Sequence, residues 1–196
     1  MGNREDLLAG ARRVILERGV AKATARDIAA EAGVSLAAIG YHFGSKDRLV
    51  TEALVEALGS GIGDDIEALV LDSRDQPVLD GFADMWNRMP QVFADHREAL
   101  VASIENTLRV LRDPDPDAGR HLREAVAAGH LGMAENLGAA HPELPDAQIE
   151  AIAYLSFVLV QGLGLLWLID PDAELAYGDR FAAAVAALAG TPEQPR

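Results

Sequence analysis

The segment TARDIAAEAGVSLAAIGYHFGSKDRL, residues 24–49, constrains the fold of this chain more than any other part of it. Its pattern predicts a short helix, a tight turn, a second short helix and the start of a third. Thr24 is expected to cap the first helix, and Gly33 to end it in the left-handed conformation that favours glycine. Two short helices joined by such a turn form a helix-turn-helix, which predicts a small three-helix domain here.

The second helix of this motif is predicted to start behind a Ser35 cap, with Ile39 and Phe43 four residues apart on its buried face. Ser45 is expected to cap the third helix. In a helix-turn-helix the second helix enters the major groove of DNA. The segment therefore indicates a DNA-binding function.

The same residues resemble the DNA-binding domain of the TetR family of bacterial transcriptional regulators. The resemblance is specific over about residues 4–54 and only architectural beyond them. It implies an all-α fold of about nine helices. A homeodomain-like three-helix helix-turn-helix domain (residues 1–50) would bind DNA, and a C-terminal helical domain (residues 51–190) would bind a ligand and form a dimer. The matching run is Ala29, Ala32-Gly33-Val34-Ser35, Ile39, Tyr41-His42-Phe43, Ser45-Lys46 and Leu49.

The resemblance also implies which side chains contact DNA. Lys46 follows a helix cap, where free amides already favour a phosphate. Arg26 can form a bidentate pair with guanine, although a solvated charge on a helix face is the alternative. For His42 the alternative is a structural role at the end of a helix. The implied base contacts are Arg26, Leu36, Ala37 and Ala38, and the implied phosphate contacts are Thr24, Tyr41, His42 and Lys46.

The chain departs from the family pattern at Gly40, where related proteins often carry a tyrosine. The missing side chain removes one expected DNA contact and lowers helix propensity by about 1 kcal/mol. Residues 36–38 can touch thymine methyl groups but lack hydrogen-bonding side chains. We therefore expect sequence readout to depend on Arg26, Ser35 and the shape of the DNA.

The charge distribution separates the two ends of the chain. The net charge of −14 by itself argues against DNA binding. Residues 1–50 hold eight Lys or Arg and six Asp or Glu, whereas residues 51–196 hold nine basic and 25 acidic residues. Only the N-terminal part is therefore expected to approach phosphate, because the acidic remainder is repelled.

Helical periodicity runs through almost the whole sequence, and no segment shows sustained strand alternation. Glycine, proline and aspartate mark the predicted helix boundaries. Pro90 is expected to end or kink the fifth helix, Asp95 to cap the sixth and Asp146 to cap the eighth. The tail 191–196 is expected to be disordered. The first predicted helix covers residues 4–18 and ends at Gly19, and its inward residues are Leu7, Leu8, Ala11, Val14 and Ile15. Besides this helix and the helix-turn-helix, the predicted helices are about 46–71, one from Pro77, one to Arg112, one after the break 113–117, one from Asp146 and about 174–189.

Several other classes of protein are not supported by the sequence. It has no cysteine, which excludes disulfides and thiolate metal sites, and its histidines lack metal-ligand spacing. We found no catalytic or nucleotide-binding motif, so we expect neither an enzyme nor a cofactor. The N-terminus lacks a signal-peptide layout, which favours a cytoplasmic location. The apolar run 151–169 is long enough to span a membrane, but its polar residues and acidic flanks favour a buried helix.

The C-terminal part carries large side chains in a background of small ones. For any one of them an ordinary core position is the simpler interpretation. The resemblance instead implies an effector pocket, and the lack of a charged anchor predicts an apolar or weakly polar small molecule. The large residues are Phe82, Trp86, Met89, Phe93, Ile104, Leu108, Met133, Phe157 and Trp167, and the candidate polar groups are Glu105, Asn106, Tyr154 and Gln161.

The eighth and ninth predicted helices are expected to form the dimer interface, as the resemblance implies. Gly162 and Gly164 would permit close backbone approach, although small residues also serve packing within one chain. Val185 and Leu188 would supply a second apolar strip. Two-fold symmetry matters because paired recognition helices need about 34–36 Å between half-sites.

These features favour a ligand-responsive transcriptional regulator. It would be a repressor that binds a palindromic operator as a dimer and is released by a small apolar effector. One alternative is a regulator without a small-molecule ligand, controlled by a protein partner or by abundance. A more remote alternative is a helical enzyme or binding protein with a vestigial DNA-binding head.

Overall fold

The computed structural model describes residues 3–112, 116–173 and 178–190, and these residues form helices and no strand. The all-α fold class is therefore confirmed. The predicted disordered tail, 191–196, lies outside the described residues, as does the predicted start of the last helix at residue 174. The α-helices are α1 (Asn3–Arg18), α2 (Ala25–Glu31), α3 (Ala37–Phe43), α4 (Lys46–Leu58), α5 (Asp64–Asp72), α6 (Val78–Asp95), α7 (Arg97–Arg112), α8 (Pro116–Ala140), α9 (Asp146–Ile169) and α10 (Gly178–Leu188).

The predicted fourth helix is interrupted rather than regular. A π-helical segment, Gly59–Gly63, separates α4 from α5, so the backbone stays helical from Lys46 to Asp72. Three of the five residues in this segment are glycine, and glycine weakens the regular helical hydrogen-bond ladder. Counted as one helical stretch, this region gives the predicted number of about nine helices.

One compact unit comprises the described residues within Met1–Gly61 and Arg97–Ala128. The five predicted inward residues of α1 are all buried, and Gly19 ends that helix with a positive φ of 80°. Gly33 has a φ of 67°, as predicted for the stop of α2. The core of this unit consists of apolar residues from α1, α2, α3 and α4, joined by Ala102 from α7.

The caps predicted at Thr24 and Ser45 are confirmed, but the cap predicted at Ser35 is wrong. The Thr24 and Ser45 hydroxyls accept the backbone N–H groups of Asp27 and Arg48, both at 3.1 Å. At the start of α3 Leu36 occupies the N-cap position, and no side chain caps the helix. The carbonyl of Ser35, rather than its hydroxyl, accepts the N–H of Ala38 at 3.0 Å. A single tight turn therefore already satisfies this amide.

Two other predicted boundaries are corrected by the structure. Helix α6 passes through Pro90 and continues to Asp95, which is its last residue and not the cap of α7. His96 follows, and its N–H bonds to the carbonyl of Val92 at 3.1 Å. Pro145, not Asp146, is the N-cap of α9, with no side-chain capping bond. The extended backbone of that proline brings its carbonyl to the N–H groups of the first turn.

The second compact unit comprises the described residues within Ile62–His96 and Gly129–Arg196. Helix α6 lies at its centre, and Trp86, Met89 and Phe93 on this helix are fully buried. The ring of Trp86 lies 6.1 Å from that of Phe181 on α10, and the ring of Phe93 lies 6.2 Å from that of Trp167 on α9. These aromatic contacts join α6 to both C-terminal helices of the unit.

Helix α9 is long and apolar enough to cross a membrane by length and composition alone. One such helix is weak evidence, because core helices of folded domains pass the same test. Within the second unit, α9 is buried at Ala153, Ser156, Val160 and Leu163. The helix predicted to be buried is therefore buried only in part, since 33% of its 18-residue apolar stretch is buried.

Candidate nucleic-acid interface and apolar cavity

Helix α3 presents one side to solvent and packs the other into the core. Ile39 and Phe43 are buried, as their spacing predicts. The side chain of Tyr41 is 86% exposed, and Leu36 is 48% exposed. Ala38 is only 8% exposed and belongs to the core cluster, so its methyl group has little surface to offer a base.

A shallow depression on this surface brings together most of the DNA contacts that the sequence predicts for α3. Asn3 at the start of α1 completes the depression, which the sequence did not indicate. The rings of Tyr41 and His42 meet edge to face, with centroids 4.9 Å apart. The Ser35 hydroxyl is not used for capping, so it is available to another partner. The lining residues are Asn3, Ser35, Ala37, Ala38, Tyr41 and His42.

Helix α2 supplies an exposed cation and a fixed hydroxyl. Arg26 is exposed and forms no ion pair within the part of the chain that the structure describes. The Thr24 hydroxyl, by contrast, donates to the Asp27 carboxylate at 2.5 Å. Because a hydroxyl has one hydrogen to donate, Thr24 could donate to a phosphate only by releasing Asp27.

The start of α4 carries the third predicted part of the interface. Lys46 is partly exposed, and its Nζ donates to the carbonyl of Ala23 at 3.2 Å. This bond holds the ammonium group beside the loop that precedes α2. The neighbouring Asp47 places its Oδ1 3.8 Å from the same Nζ. Any phosphate that binds Lys46 must therefore do so close to a carboxylate.

Gly40 lies in the middle of α3 on the exposed side. A Cβ atom added there would meet no heavy atom within 4 Å. There is therefore room for at least a methyl group at this position.

The second unit contains one small, largely apolar cavity. Its volume is about 30 Å³, and no charged side chain is among the residues that line it. Its polar groups come from Ser73 and Ser156, both buried, and from His141. His141 Nδ1 lies 3.2 Å from the Glu143 carboxylate, which orients the imidazole. The lining residues are Val70, Ser73, Val78, Gly81, Phe82, Met85, Met133, Leu137, His141, Ile152, Ala153 and Ser156.

Of the residues predicted to bind a ligand, only Met133 lines this cavity, and Phe82 from the same group of large side chains joins it. Trp86, Met89 and Phe93 are fully buried among other core side chains. Leu108 is exposed, as are Tyr154 and Gln161, and Phe157 is half-buried. Phe157 and Tyr154 instead pack their rings against His130.

Glu105 and Asn106 lie in the first unit and do not reach the cavity. The Glu105 carboxylate accepts the backbone N–H of Val20 at 3.2 Å. Asn106 is buried and donates to the Thr51 hydroxyl at 3.3 Å. Both side chains are thus committed to contacts within the first unit.

Sequence reasoning missed Ser73, His141 and Ser156 as polar groups of the cavity. On α9, the residues predicted to bind a ligand are Tyr154, Phe157 and Gln161. Each lies one position after a buried residue, namely Ala153, Ser156 and Val160. One residue corresponds to a rotation of about 100° around a helix. Because nearly every position in this helix is apolar, periodicity could not identify the inward side.

The residues predicted for a dimer interface occupy different environments. Gly162 is exposed with open space around it, whereas Gly164 is buried. Val185 is half-buried and Leu188 is 90% exposed. Further large apolar side chains of α9 are exposed beside Gly162, namely Leu155, Val158, Leu165, Leu166 and Ile169.

The first unit thus contains two short helices at a glycine turn, with the second helix exposed along one side. This is the arrangement of a helix-turn-helix DNA-binding protein. Comparison with known proteins agrees. The model of the family described as "Bacterial regulatory proteins, tetR family" matches residues 7–53.

Two curated relatives extend the match beyond this segment. The probable HTH-type transcriptional regulator ArpR of Pseudomonas putida is 30% identical over 183 residues, which cover 90% of this chain and 85% of the relative. The HTH-type transcriptional regulator TtgR, from a strain of the same species, has the same identity and coverage. Both are transcriptional regulators rather than enzymes.

A solved structure shares the whole fold. The multidrug binding protein EbrR, complexed with imidazole, matches 100% of this chain and 98% of its own, with a TM-score of 0.66 and 23% sequence identity. With the relatives above, this chain belongs to the TetR family of DNA-binding bacterial transcriptional regulators.

Proposed function

We propose that this chain is a ligand-responsive repressor that binds a palindromic operator as a homodimer and is released by a small apolar or weakly polar molecule. The observation that carries the proposal is the exposed surface of α3, where Ser35, Ala37, Tyr41 and His42 surround one depression. This surface would enter the major groove.

In this proposal phosphate contacts supply most of the affinity. Tyr41, His42 and Lys46 would contact the DNA backbone, and the start of α4 would add its free amides. Arg26 is exposed and would read a guanine. Since Leu36 and Ala37 carry no hydrogen-bonding side chain, the remaining specificity would come from DNA shape.

The dimer would form through α9 and α10. The exposed apolar residues Leu165, Leu166 and Ile169 on α9 support this part of the proposal, because large exposed apolar patches mark association sites. Gly162 lies among them with open space for a partner's backbone. Two-fold symmetry would then set the spacing of the two recognition helices.

The effector would bind at the cavity lined by Met133, Phe82 and Ser156. Apolar walls with a few oriented polar groups suit such a ligand, and the imidazole of His141 can form one hydrogen bond with it. A cavity of about 30 Å³ is far smaller than the roughly 150 Å³ that holds benzene. Effector binding therefore requires the walls of the cavity to move apart.

Such a movement provides the switch. The effector would favour the state with the open cavity, and DNA would favour the state with correctly spaced heads. The helical stretch from Lys46 to Asp72 begins in the first unit and ends in the second, so it would transmit the change. EbrR, described as a multidrug binding protein and solved with imidazole and with proflavin, is a protein of the same fold that binds small molecules.

Release from DNA tests this proposal. DNA binding would be measured by fluorescence anisotropy with a panel of small aromatic compounds, on wild type, Met133→Ala and Leu131→Ala. Met133→Ala enlarges the cavity and should lower the compound concentration needed for release. Leu131 is exposed on the same helix, so Leu131→Ala should behave as wild type. If no compound changes DNA binding or thermal stability in any variant, a regulator without a small-molecule ligand is favoured instead.

A further inference from the structure

Helix α7 directs three polar side chains at the elements that carry the helix-turn-helix. Glu105, Asn106 and Arg109 lie within one helical turn of each other, so they share one side of α7. Within the first unit they contact, respectively, the segment before α2, the middle of α4 and the start of α4.

The Arg109 guanidinium is held by two partners. Its Nη1 lies 3.1 Å from Asp47 Oδ1, and its Nη2 donates to Asn106 Oδ1 at 2.8 Å. Asn106 is 3% exposed and is itself anchored on Thr51. The Arg109 side chain is three-quarters buried. The ion pair with Asp47 therefore has a fixed geometry, unlike a pair between two freely moving surface side chains.

Asp47 occupies a sensitive position for DNA binding. The oxygen that meets Arg109 is the same oxygen that lies 3.8 Å from Lys46 Nζ. Asp47 also lies in the first turn of α4, where a carboxylate competes with a phosphate for the partial positive charge of the helix. Without a second cation, Asp47 would neutralise Lys46 and repel the DNA backbone.

We propose that Arg109 is a positioning residue for DNA binding, which neutralises Asp47 from the α7 side and so keeps Lys46 and the first turn of α4 available to a phosphate. This inference rests on the proposed phosphate contact of Lys46. Glu105 acts together with Arg109, because its carboxylate accepts the backbone N–H of Val20 in the segment before α2. The DNA-binding surface is therefore assembled with help from a helix that begins at residue 97, outside the helix-turn-helix sequence.

A double-mutant cycle tests the proposal on the full-length protein. DNA affinity is measured for wild type, Arg109→Gln, Asp47→Asn and the double variant at several salt concentrations. Arg109→Gln should weaken binding at least about threefold at low salt, the range expected for coupled charges, and the loss should shrink at high salt. In the Asp47→Asn background the same change should have no more than about a twofold effect.

Matched control variants distinguish a positioning role of Arg109 from an effect on folding or on the net charge of the protein. Arg112→Gln removes the same charge from an exposed position of the same helix and should change binding less than Arg109→Gln does. Arg109→Lys keeps the charge and should restore most of the affinity. If Arg109→Gln does not fold, Asp47→Asn alone remains decisive, since it must bind DNA at least as tightly as wild type.

Two results would overturn the proposal: equal losses from Arg109→Gln in both backgrounds, or weaker DNA binding by Asp47→Asn alone. A further variant, Lys46→Gln, distinguishes the positioning role of Arg109 from the phosphate contact of Lys46 on which it rests. If Lys46→Gln leaves DNA affinity unchanged, the phosphate contact itself is wrong. If Lys46→Gln weakens binding but Arg109 and Asp47 are not coupled, only the role of Arg109 fails.

Discussion

The Thr24 hydroxyl makes two hydrogen bonds to Asp27, accepting its backbone N–H at 3.1 Å and donating to its carboxylate at 2.5 Å. The bond to the carboxylate lowers the pKa of Asp27 below its ordinary value of 3.8, and the nearby Arg18 guanidinium acts in the same direction. This pair of side chains thus caps α2 and places a carboxylate in its first turn.

Thr24→Ala should destabilise the protein by about 1 kcal/mol at neutral pH, the usual cost of a lost helix cap. Because the pKa of Asp27 is lowered in the folded state, its bond to Thr24 stabilises the fold above pH 3.8 and is lost as the pH falls through the lower, folded-state pKa. The difference between wild type and variant should therefore narrow in acid. Urea denaturation across a pH series checks this, with Thr24→Ser as control; a difference that grows in acid would contradict it.

Arg26→Ala and Lys46→Gln should weaken DNA binding in different ways. Arg26→Ala should lower the preference for the operator over scrambled DNA, since a bidentate pair with guanine contributes about 1–3 kcal/mol of discrimination. Lys46→Gln should weaken both DNAs alike and reduce the salt dependence by about one unit of slope. Titrations of both variants on both DNAs measure this. An equal loss on the two DNAs for Arg26→Ala would exclude a role in readout.

Gly40→Ala should stabilise the protein by up to about 1 kcal/mol, because alanine favours a helix interior and the added methyl group meets open space. Gly33→Ala is the matched control, since its φ of 67° lies in the left-handed region, and it should destabilise the fold. Thermal unfolding of the two variants makes the comparison. Stabilisation by Gly33→Ala, or destabilisation by Gly40→Ala, would contradict this prediction.

If α9 forms the proposed dimer interface, Leu166→Glu should convert dimers to monomers, because it places a charge on the exposed apolar side of that helix. Leu111→Glu introduces the same charge at an exposed position of α7 and should leave the dimer intact. Sedimentation velocity on the three proteins distinguishes the species. A Leu166→Glu protein that remains dimeric would place the interface elsewhere.

Local signals in the sequence predicted the DNA-binding part well. Thr24, Gly33 and Ser45 act within three or four residues of their own positions, so their roles follow from capping and backbone preference alone. Ser35 has the same chemistry, but in the turn before α3 its carbonyl already accepts the amide of Ala38. A residue that can cap a helix therefore does so only when no backbone carbonyl already accepts the amide that its side chain would bind.

Long-range contacts were beyond the reach of the sequence. Glu105 bonds to a backbone amide 85 positions earlier, and Asn106 to a hydroxyl 55 positions earlier. As polar residues in an apolar region they looked like ligand contacts, because periodicity does not show which element a helix side faces. Ser156 was missed because α9 is apolar on every side, so the sequence pattern does not show which side of this helix is buried.

Selection of bound sequences from a pool of random double-stranded DNA tests the central claim most directly. The whole chain should enrich a palindrome whose half-sites are about one helical turn of DNA, or a multiple of it, apart. Tyr41→Ala, which removes a side chain that is 86% exposed, should enrich nothing above background. Enrichment of a sequence without two-fold symmetry, or unchanged selection by Tyr41→Ala, would contradict the proposed dimeric operator complex.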